Sequence, residues 1–234
     1  MKQAHLDDLR QATTAEELLA TLLAVGNDMG FGLGAMVFRQ GRIGDGENPI
    51  IRSVHNTPDA WREQATNLTL AKSDPVFSRL QVSKEPFFYD QDFYLQTGCI
   101  ELWEEGSPFG YANGVSASLH LPGDRTLFWG FDRSSSIPKN DRLRTSILAE
   151  TQLVGVFAVT AAERILSPAQ VALSDAQLAV LRHTRDGHSS WVIARLLEMT
   201  EDNVNYHLKR CRAKLGVATK HQAVHKAIEL GLLA

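Results

Sequence analysis

Two neighbouring segments near the end of the chain repeat apolar residues at the spacing of short α-helices. The stripe of the first segment consists of Val192, Ile193, Leu196 and Leu197. The stripe of the second recurs at i, i+4, i+7 and i+11 and consists of Val204, Leu208, Cys211 and Leu215. Gly187 ends the preceding helix, Ser189 or Ser190 can cap the first segment, and Thr200 can cap the second. The pattern predicts a helix-turn-helix, followed by a last helix over residues 222–230 with Val224, Ala227 and Ile228 inward.

Polar and cationic side chains of the second helix lie off its apolar stripe. They are Asn203, Asn205, Tyr206, Lys209, Arg210 and Arg212. Asn can pair with an adenine edge and Lys with guanine in the major groove, while further cations suit phosphates. We therefore predict that Asn205 and Lys209 contact base edges, with Tyr206 as a further base contact. The two arginines are expected on phosphates.

A solvated basic face on a small helical subdomain is the alternative interpretation of this surface. The distribution of charge argues against it. Residues 167–234 hold nine Lys/Arg against six Asp/Glu, whereas residues 1–166 hold 15 against 21. The net charge of −3 therefore hides a cationic tail on an acidic body, which indicates nucleic acid as a partner.

The first 166 residues mix helical stripes with short strand-like segments. Residues 14–17 form a capping box that opens a helix. Strands are predicted over 35–39, 50–55, 114–121 and 127–131. Thr57-Pro58 and Asp74-Pro75 each open a helix, and 101–105 is a short helical segment. A long helix over 140–166 carries Leu143, Ile147, Val154, Phe157 and Ala161 along one side. The expected fold is α+β: an N-terminal α/β/α sandwich with an antiparallel sheet, followed by an all-α four-helix domain.

No catalytic or metal-binding pattern stands out along the chain. It has no G-x-S-x-G, no phosphate-binding loop, no H-E-x-x-H and no Cys/His cluster at metal spacing. We therefore expect no enzyme, no metal and no cofactor. Two cysteines, a polar acidic N-terminus and no apolar run of membrane-spanning length predict a cytoplasmic protein without membrane contact.

Aromatic residues are concentrated in or beside the predicted sheet. They are Trp61, Tyr89, Trp103, Phe109, Tyr111 and Trp129, with Asp74 nearby in sequence. Any one of them is best interpreted as a core residue. As a set they can also line a mostly apolar small-molecule pocket with a few polar anchors.

The C-terminal segment resembles the LuxR-type helix-turn-helix, a domain of four helices. The residues that carry the resemblance run from Leu173-Ser174-Asp175 through Ile193-Ala194 and Asn203–Leu208 to Lys214-Leu215-Gly216-Val217 and Leu230-Gly231-Leu232. The usual Arg-Glu near the start of that domain is Ala176-Gln177 here. The usual Glu before Ile-Ala is Val192, next to an uncommon Trp191.

The earlier part of the chain is similar to the autoinducer-binding domain of LuxR-type quorum-sensing regulators. The similarity rests on Trp61, on Asp74-Pro75 thirteen residues later, on Phe88-Tyr89, and on Trp103-Glu104-Glu105-Gly106 with the glycines that follow. The resemblance implies that Trp61 donates its indole N–H to the lactone carbonyl of an acyl-homoserine lactone. It also implies that Asp74 accepts from the ligand amide, although Asp before Pro is equally a good N-cap.

Three positions depart from the usual pocket. Ala65 and Thr57 stand where the family has tyrosines, and Tyr89 stands where it has a second tryptophan. The resemblance therefore leaves the ligand open among a long or bulky acyl chain, an aryl chain and a non-lactone signal. These three residues, with Trp61, Asp74 and Trp103, are the candidate ligand site.

The combined expectation is a ligand-responsive transcription regulator. A sensing and dimerisation domain over 1–166, a linker over 167–172 and a DNA-binding domain over 173–234 would form a homodimer that reads an inverted-repeat operator. The alternative is a ligand-independent regulator, or one with a PAS- or GAF-like sensor, that carries the same DNA-binding tail.

Overall fold

The computed structural model describes residues 1–41, 49–62, 73–167 and 172–233. The chain divides into two compact units. The first contains the described parts of 1–39, 50–121 and 125–167. The second contains those of 168–234 with short pieces at 40–49 and 122–124.

The first unit combines helices with one five-stranded sheet. Its helices are α1 (Gln3–Gln11), α2 (Ala15–Asp28), α3 (Pro75–Leu80), α4 (Gln91–Gln96), α5 (Ile100–Gly106) and α6 (Asp141–Leu166). Its strands are β1 (Leu33–Gln40), β2 (Ile50–His55), β3 (Phe87–Tyr89), β4 (Asn113–Leu121) and β5 (Arg125–Arg133). Two short 3-10 turns, Asp59–Trp61 and Ser107–Phe109, complete the unit.

The sheet is antiparallel and has the order β2-β1-β5-β4-β3. Its side chains alternate between two faces, as the period of a strand requires. One face packs against α1, α2 and α6 through Met36, Phe38, Val115, Ala117, Leu127, Trp129 and Phe131. The other faces α3, α4 and α5 and carries Val37, Phe87, Tyr89 and Phe128. Helices on both faces confirm the predicted sandwich.

Helix α6 packs tightly on the sheet at one point. The indole N–H of Trp129 donates to the carbonyl of Thr151 at 2.7 Å. Its ring fills the space beside Gly155, where an added Cβ would lie 2.0 Å from the ring. Ile147, Val154 and Ala161 of the predicted stripe are buried, whereas Leu143 is 48% exposed, so its inward assignment was wrong.

The expectation about membrane-spanning runs was also wrong for this helix. By length and composition alone Asp141–Leu166 is long and apolar enough to cross a membrane. Its buried side belongs to the core of the first unit, which is the ordinary reason for such a composition in a packed helix.

Most predicted elements of the first unit agree with the structure. The capping box forms, with Glu17 N donating to Thr14 Oγ1 at 3.2 Å. The sequence patterns missed α1, β3 and α4, which are 9, 3 and 6 residues long. The helix expected at Thr57-Pro58 is, in its described part, the 3-10 turn Asp59–Trp61.

Within residues 172–233 the second unit has four helices, as predicted. They are α7 (Asp175–Arg185), α8 (Ser190–Leu196), α9 (Glu201–Leu215) and α10 (Lys220–Glu229). Ser189 caps α8 and Thr200 caps α9 through their hydroxyls, and Gly187 has φ +86° after α7. The stripe of α9 is buried throughout. The inward assignment of Ile228 was wrong, because it is 42% exposed, and Leu196 of the first stripe is 52% exposed.

The contact of Gly155 with Trp129 leads to the first prediction. In Gly155→Ala the added methyl meets a ring whose N–H is already bonded, so we expect a loss of about 1–3 kcal/mol of unfolding free energy. Gly32→Ala is the matched control, since no atom lies within 4 Å of its added Cβ. That change should stay within about 0.5 kcal/mol of wild type.

Urea unfolding followed by tryptophan fluorescence measures both variants, because three of the four tryptophans lie in the first unit. Equal midpoints for the two variants would show that α6 can shift away from the sheet to admit the methyl group without a loss of unfolding free energy.

Candidate functional site

Trp61 lies in an aromatic group at the edge of the first unit. Its ring stacks on Phe109 with centroids 5.0 Å apart and an interplanar angle of 20°. The ring centroid of Tyr111 lies 6.5 Å from that of Trp61. The two 3-10 turns bring these residues together, since Trp61 ends one turn and Phe109 ends the other.

A phenol hydroxyl lies beside Thr57 although the sequence has no tyrosine there. The hydroxyl of Tyr111 donates to Thr57 Oγ1 at 2.9 Å. The sequence predicted that the pocket lacks a phenol near position 57, but Tyr111, 54 positions further along the chain, places one there. The other substituted position, Ala65, lies outside the described residues.

Asp74 is partly buried at the start of α3 and caps that helix. Its Oδ1 accepts from the backbone N of Val76 at 2.8 Å, and the hydroxyl of Tyr94 lies 3.4 Å from the same oxygen. Burial raises the pKa of Asp74, while hydrogen bonds from two backbone amides and from Tyr94 lower it. The capping role expected from Asp before Pro is thus observed.

Tyr89 reaches across the sheet to a second carboxylate, that of Asp132. Tyr89 pairs with Gly114 between β3 and β4, and Gly114 pairs with Asp132 between β4 and β5. The Tyr89 hydroxyl donates to Asp132 Oδ1 at 2.7 Å. An added Cβ on Gly114 would lie 2.1 Å from the Tyr89 ring, so only glycine permits this row.

Asp132 was missed in the sequence. It is 8% exposed, and burial raises its pKa from 3.8 to about 7. The Tyr89 hydroxyl lowers this pKa and the charge of Asp74 raises it further. Strand alternation could have revealed it, because Asp132 shares a face with Phe128, opposite the apolar Leu127, Trp129 and Phe131.

Trp103 uses its polar atom within the protein. Its indole N–H donates to the carbonyl of Ala112 at 2.8 Å. The ring packs with the cluster on α3, α4 and α5 that includes Tyr89 and Tyr94. In this arrangement Trp103 joins α5 to the segment before β4.

The predicted DNA-contacting side chains of α9 form one exposed surface. Asn203, Asn205, Tyr206, Lys209 and Arg210 are exposed. Asn205 Oδ1 accepts from the Ser190 hydroxyl at 2.9 Å, which links α9 to the start of α8. Arg212 differs, because it is half-buried and donates to the carbonyl of Ala218 at 3.0 Å.

The residue differences at the start of this unit have local structural roles. Gln177 forms a capping box with Ser174 and accepts from Lys214 Nζ at 3.0 Å. Trp191 is 58% exposed, with the Arg195 guanidinium 5.3 Å from its ring centre.

Two family models match this chain. The one described as "Autoinducer binding domain" matches residues 14–162. The one described as "Bacterial regulatory proteins, luxR family" matches residues 171–227. The chain belongs to the LuxR-type quorum-sensing transcriptional regulators. It is therefore a transcriptional regulator and not an enzyme, as the sequence predicted.

Named relatives of this LuxR-type regulator match over most of their length. The transcriptional activator protein AhyR of Aeromonas hydrophila is 25% identical over 197 residues, which cover 80% of this chain and 75% of AhyR. The transcriptional activator protein AnoR of Acinetobacter nosocomialis is 28% identical over 185 residues, which cover 77% of each chain.

Solved structures share the fold. Escherichia coli SdiA superposes with a TM-score of 0.81 at 23% identity and covers 99% of this chain and 97% of its own. A structure of SdiA in complex with octanoyl-rac-glycerol gives 0.80 at 24% identity, covering 98% and 94%. The LuxR-type α+β fold predicted from the sequence is thus confirmed.

The buried Asp132 of this LuxR-type regulator leads to a prediction about how the stability of the protein depends on pH. Its pKa is higher in the folded protein than in the unfolded chain. The folded state therefore holds an extra proton between about pH 4 and pH 7, and raising the pH through this window lowers stability. Asp132→Asn removes this loss, so we expect the variant to exceed wild type at pH 8 by on the order of 2–3 kcal/mol.

The advantage should fall to less than half of this value at pH 5, because the folded protein still holds its proton there. Denaturant unfolding at both pH values measures it, and Asp92→Asn, at an exposed position of α4, is the control. A pH-independent difference between wild type and Asp132→Asn would contradict the raised pKa. Tyr89, Tyr94, Tyr111 and Asp74 are the titratable groups that interact with Asp132.

Proposed function

We propose that this regulator senses an acylated small molecule, with an acyl-homoserine lactone as the first candidate, through residues 1–166. Residues 173–234 would bind the operator, joined by a linker over 167–172. The observation that carries the ligand proposal is Asp74. Burial raises the pKa of its carboxylate, so a hydrogen-bond donor on a ligand would stabilise the ionised form.

The chemistry of an acyl amide suits these residues. The ligand amide would donate to Asp74, and the indole of Trp61 would donate to a carbonyl of the head group. Thr57 with Tyr111, Tyr89 and Trp103 would line the remaining walls, and Ala65 would add space. SdiA, of the same fold, accommodates octanoyl-rac-glycerol, in which an acyl chain bears a polar head. That complex supports an acylated ligand without requiring a lactone.

Dimerisation would place two DNA-binding units on one operator. Helix α6 exposes Leu143, Leu153 and Val156 at 48%, 39% and 51%. Burying these side chains against a second copy would remove apolar surface from water. A two-fold dimer would read an inverted repeat with half-sites one helical turn or a multiple apart. Because its operator is genomic DNA, the regulator would act in the cytoplasm.

At the operator we propose different roles for the residues of α9. Asn205 and Lys209 would contact base edges, with Asn203 and Tyr206 beside them, and Arg210 would bind phosphate. Arg212 would approach phosphate only if it released the Ala218 carbonyl.

Ligand binding is tested by substituting Asp74 with asparagine. Asn retains the N-cap but lacks the negative charge, so helix α3 should remain formed. We expect at least a tenfold loss of affinity for an acyl-homoserine lactone that stabilises wild type in a thermal-shift panel. Asp90→Asn is the matched control, because Asp90 caps α4 in the same way and its Oδ1 accepts from Phe93 N at 3.1 Å.

The outcome separates a ligand role from a capping role. Equal ligand affinity in Asp74→Asn and wild type would remove Asp74 from the ligand site. An equal loss in both variants would assign the effect to helix capping. Failure of every acylated compound to shift wild type would favour the ligand-independent alternative.

DNA contacts are tested on a duplex selected from a random library by the wild-type protein. Lys209→Ala should lower affinity for that duplex by about 1–3 kcal/mol and affect a scrambled duplex much less, because a base contact carries specificity. Arg210→Ala should weaken both duplexes alike and reduce the salt dependence, as a phosphate contact does. Gel-shift titrations measure both variants, and unchanged affinity in Lys209→Ala would refute its assignment.

A further inference from the structure

We propose that Asp132, held by Tyr89, is a second polar anchor of the ligand pocket that accepts a hydrogen bond from a hydroxyl group on an acylated ligand. This inference rests on the proposed function and narrows it to acyl compounds that carry a hydroxyl in addition to their amide N–H. It assigns specificity to two residues that lie on different strands.

The anchor is built across three adjacent strands. Tyr89, Gly114 and Asp132 occupy one row, and the missing side chain at Gly114 leaves the Tyr89 ring room to reach Asp132. The phenol donates to only one carboxylate oxygen, Oδ1. A carboxylate can accept on both of its oxygens, so Oδ2 retains capacity for a further donor.

No cation satisfies this capacity within the described part of the chain. None of the ion pairs there involves Asp132. The neighbouring Arg133 points elsewhere, since its guanidinium donates to Ser135 at 2.7 Å and lies 5.5 Å from the Phe31 ring centre. A carboxylate that is over nine-tenths buried and lacks a cation favours a ligand that brings a donor.

Asp132 has access to space that a ligand can enter. It lines a depression of about 520 Å³ together with Leu33, Pro58 and Phe109. Phe109 is the ring on which Trp61 stacks, so this space adjoins the aromatic group. The depression is open to solvent and is also lined by Arg133 and Ser134, so a donor that enters it can approach the Asp132 carboxylate from the surface.

Asp132 also interacts electrostatically with Asp74 and with the tyrosines beside the candidate ligand residues. The charge of Asp74 raises the pKa of Asp132, and the charge of Asp132 raises the pKa of both Tyr94 and Tyr111. Tyr94 lies against Asp74, and Tyr111 lies against Thr57. Asp132 therefore interacts with both groups of predicted ligand residues.

Two carboxylates without a described cation select among polar substituents. A hydroxyl can donate to a carboxylate, whereas a keto oxygen and a ligand carboxylate can only accept. Opposed acceptors repel, and burial strengthens this repulsion. The pocket should therefore prefer a hydroxyl to a keto group of nearly the same size.

Three probes that differ at one carbon test the preference. They are N-octanoyl-, N-(3-hydroxyoctanoyl)- and N-(3-oxooctanoyl)-homoserine lactone, titrated against the full chain at pH 7.5 by calorimetry. We expect wild type to bind the hydroxyl compound at least about tenfold more tightly than either of the others, as a hydrogen bond to a charged acceptor allows. Asp132→Asn should reduce that ratio to about threefold or less.

The matched variants separate the anchor from general damage to the pocket. Tyr89→Phe should weaken the hydroxyl preference, because loss of the Tyr89 hydrogen bond raises the pKa of Asp132 further and leaves less of the accepting carboxylate at pH 7.5. Asp92→Asn, an exposed carboxylate on α4, should behave as wild type. Asp132→Ser provides a second substitution at the anchor position and should also lose the preference.

Each outcome has one meaning. Tight but equal binding of all three compounds to wild type leaves the acyl-ligand function standing and overturns the anchor alone. An undiminished hydroxyl preference in Asp132→Asn and Asp132→Ser also overturns it. Binding of none of the three removes the proposed ligand class and the anchor with it.

Discussion

The packing of α6 on one face of the sheet leaves the opposite face to hold polar side chains beside a second apolar cluster. Trp129 fills the space beside Gly155 and bonds to the helix backbone, and the larger apolar cluster lies on this face. The other face has a smaller apolar cluster, and β4 and β5 also carry Ser116 and Asp132 towards α3, α4 and α5. The carboxylate of Asp132 is held in the sheet by the Tyr89 hydroxyl, while Phe131, its neighbour in sequence, is buried on the far face.

The helices and strands around this sheet differ in how far they could be predicted from the sequence. Long elements such as α6 and β4 were found almost to the residue, α6 from its helical stripe and β4 from an apolar segment bounded by turn residues. The caps Thr14, Ser189 and Thr200 were also predictable, since they depend on local chemistry. Short elements such as β3 were missed because three residues carry too little periodicity, and β3 exists through its pairing with β4.

The site was predictable only where it depends on single residues. Asp74 and Trp61 were identified from a resemblance, but the partners that define their surroundings come from distant parts of the chain. Tyr111 meets Thr57 across 54 positions, and Tyr89 meets Asp132 across 43. Such pairs arise from strand register and from the glycine between them, and neither follows from spacing. Leu143 and Ile228 are exposed for a similar reason. An apolar stripe predicts which side of a helix faces the core, but it does not show whether another element covers each residue of the stripe.

Buried carboxylates give the proposed regulator a physical route from signal to DNA. Burial makes the ionised forms of Asp74 and Asp132 costly, so without a bound donor they lower the stability of the first unit. A ligand that donates to them stabilises the folded form by RT ln(1 + [L]/Kd), which is about 2.7 kcal/mol at a hundredfold excess over Kd. Because a dimer forms only from folded chains, the ligand concentration would set how many paired α9 helices reach an operator. Under the proposed function, the groups that reduce the stability of the free protein would be the ones that make its activity depend on the signal.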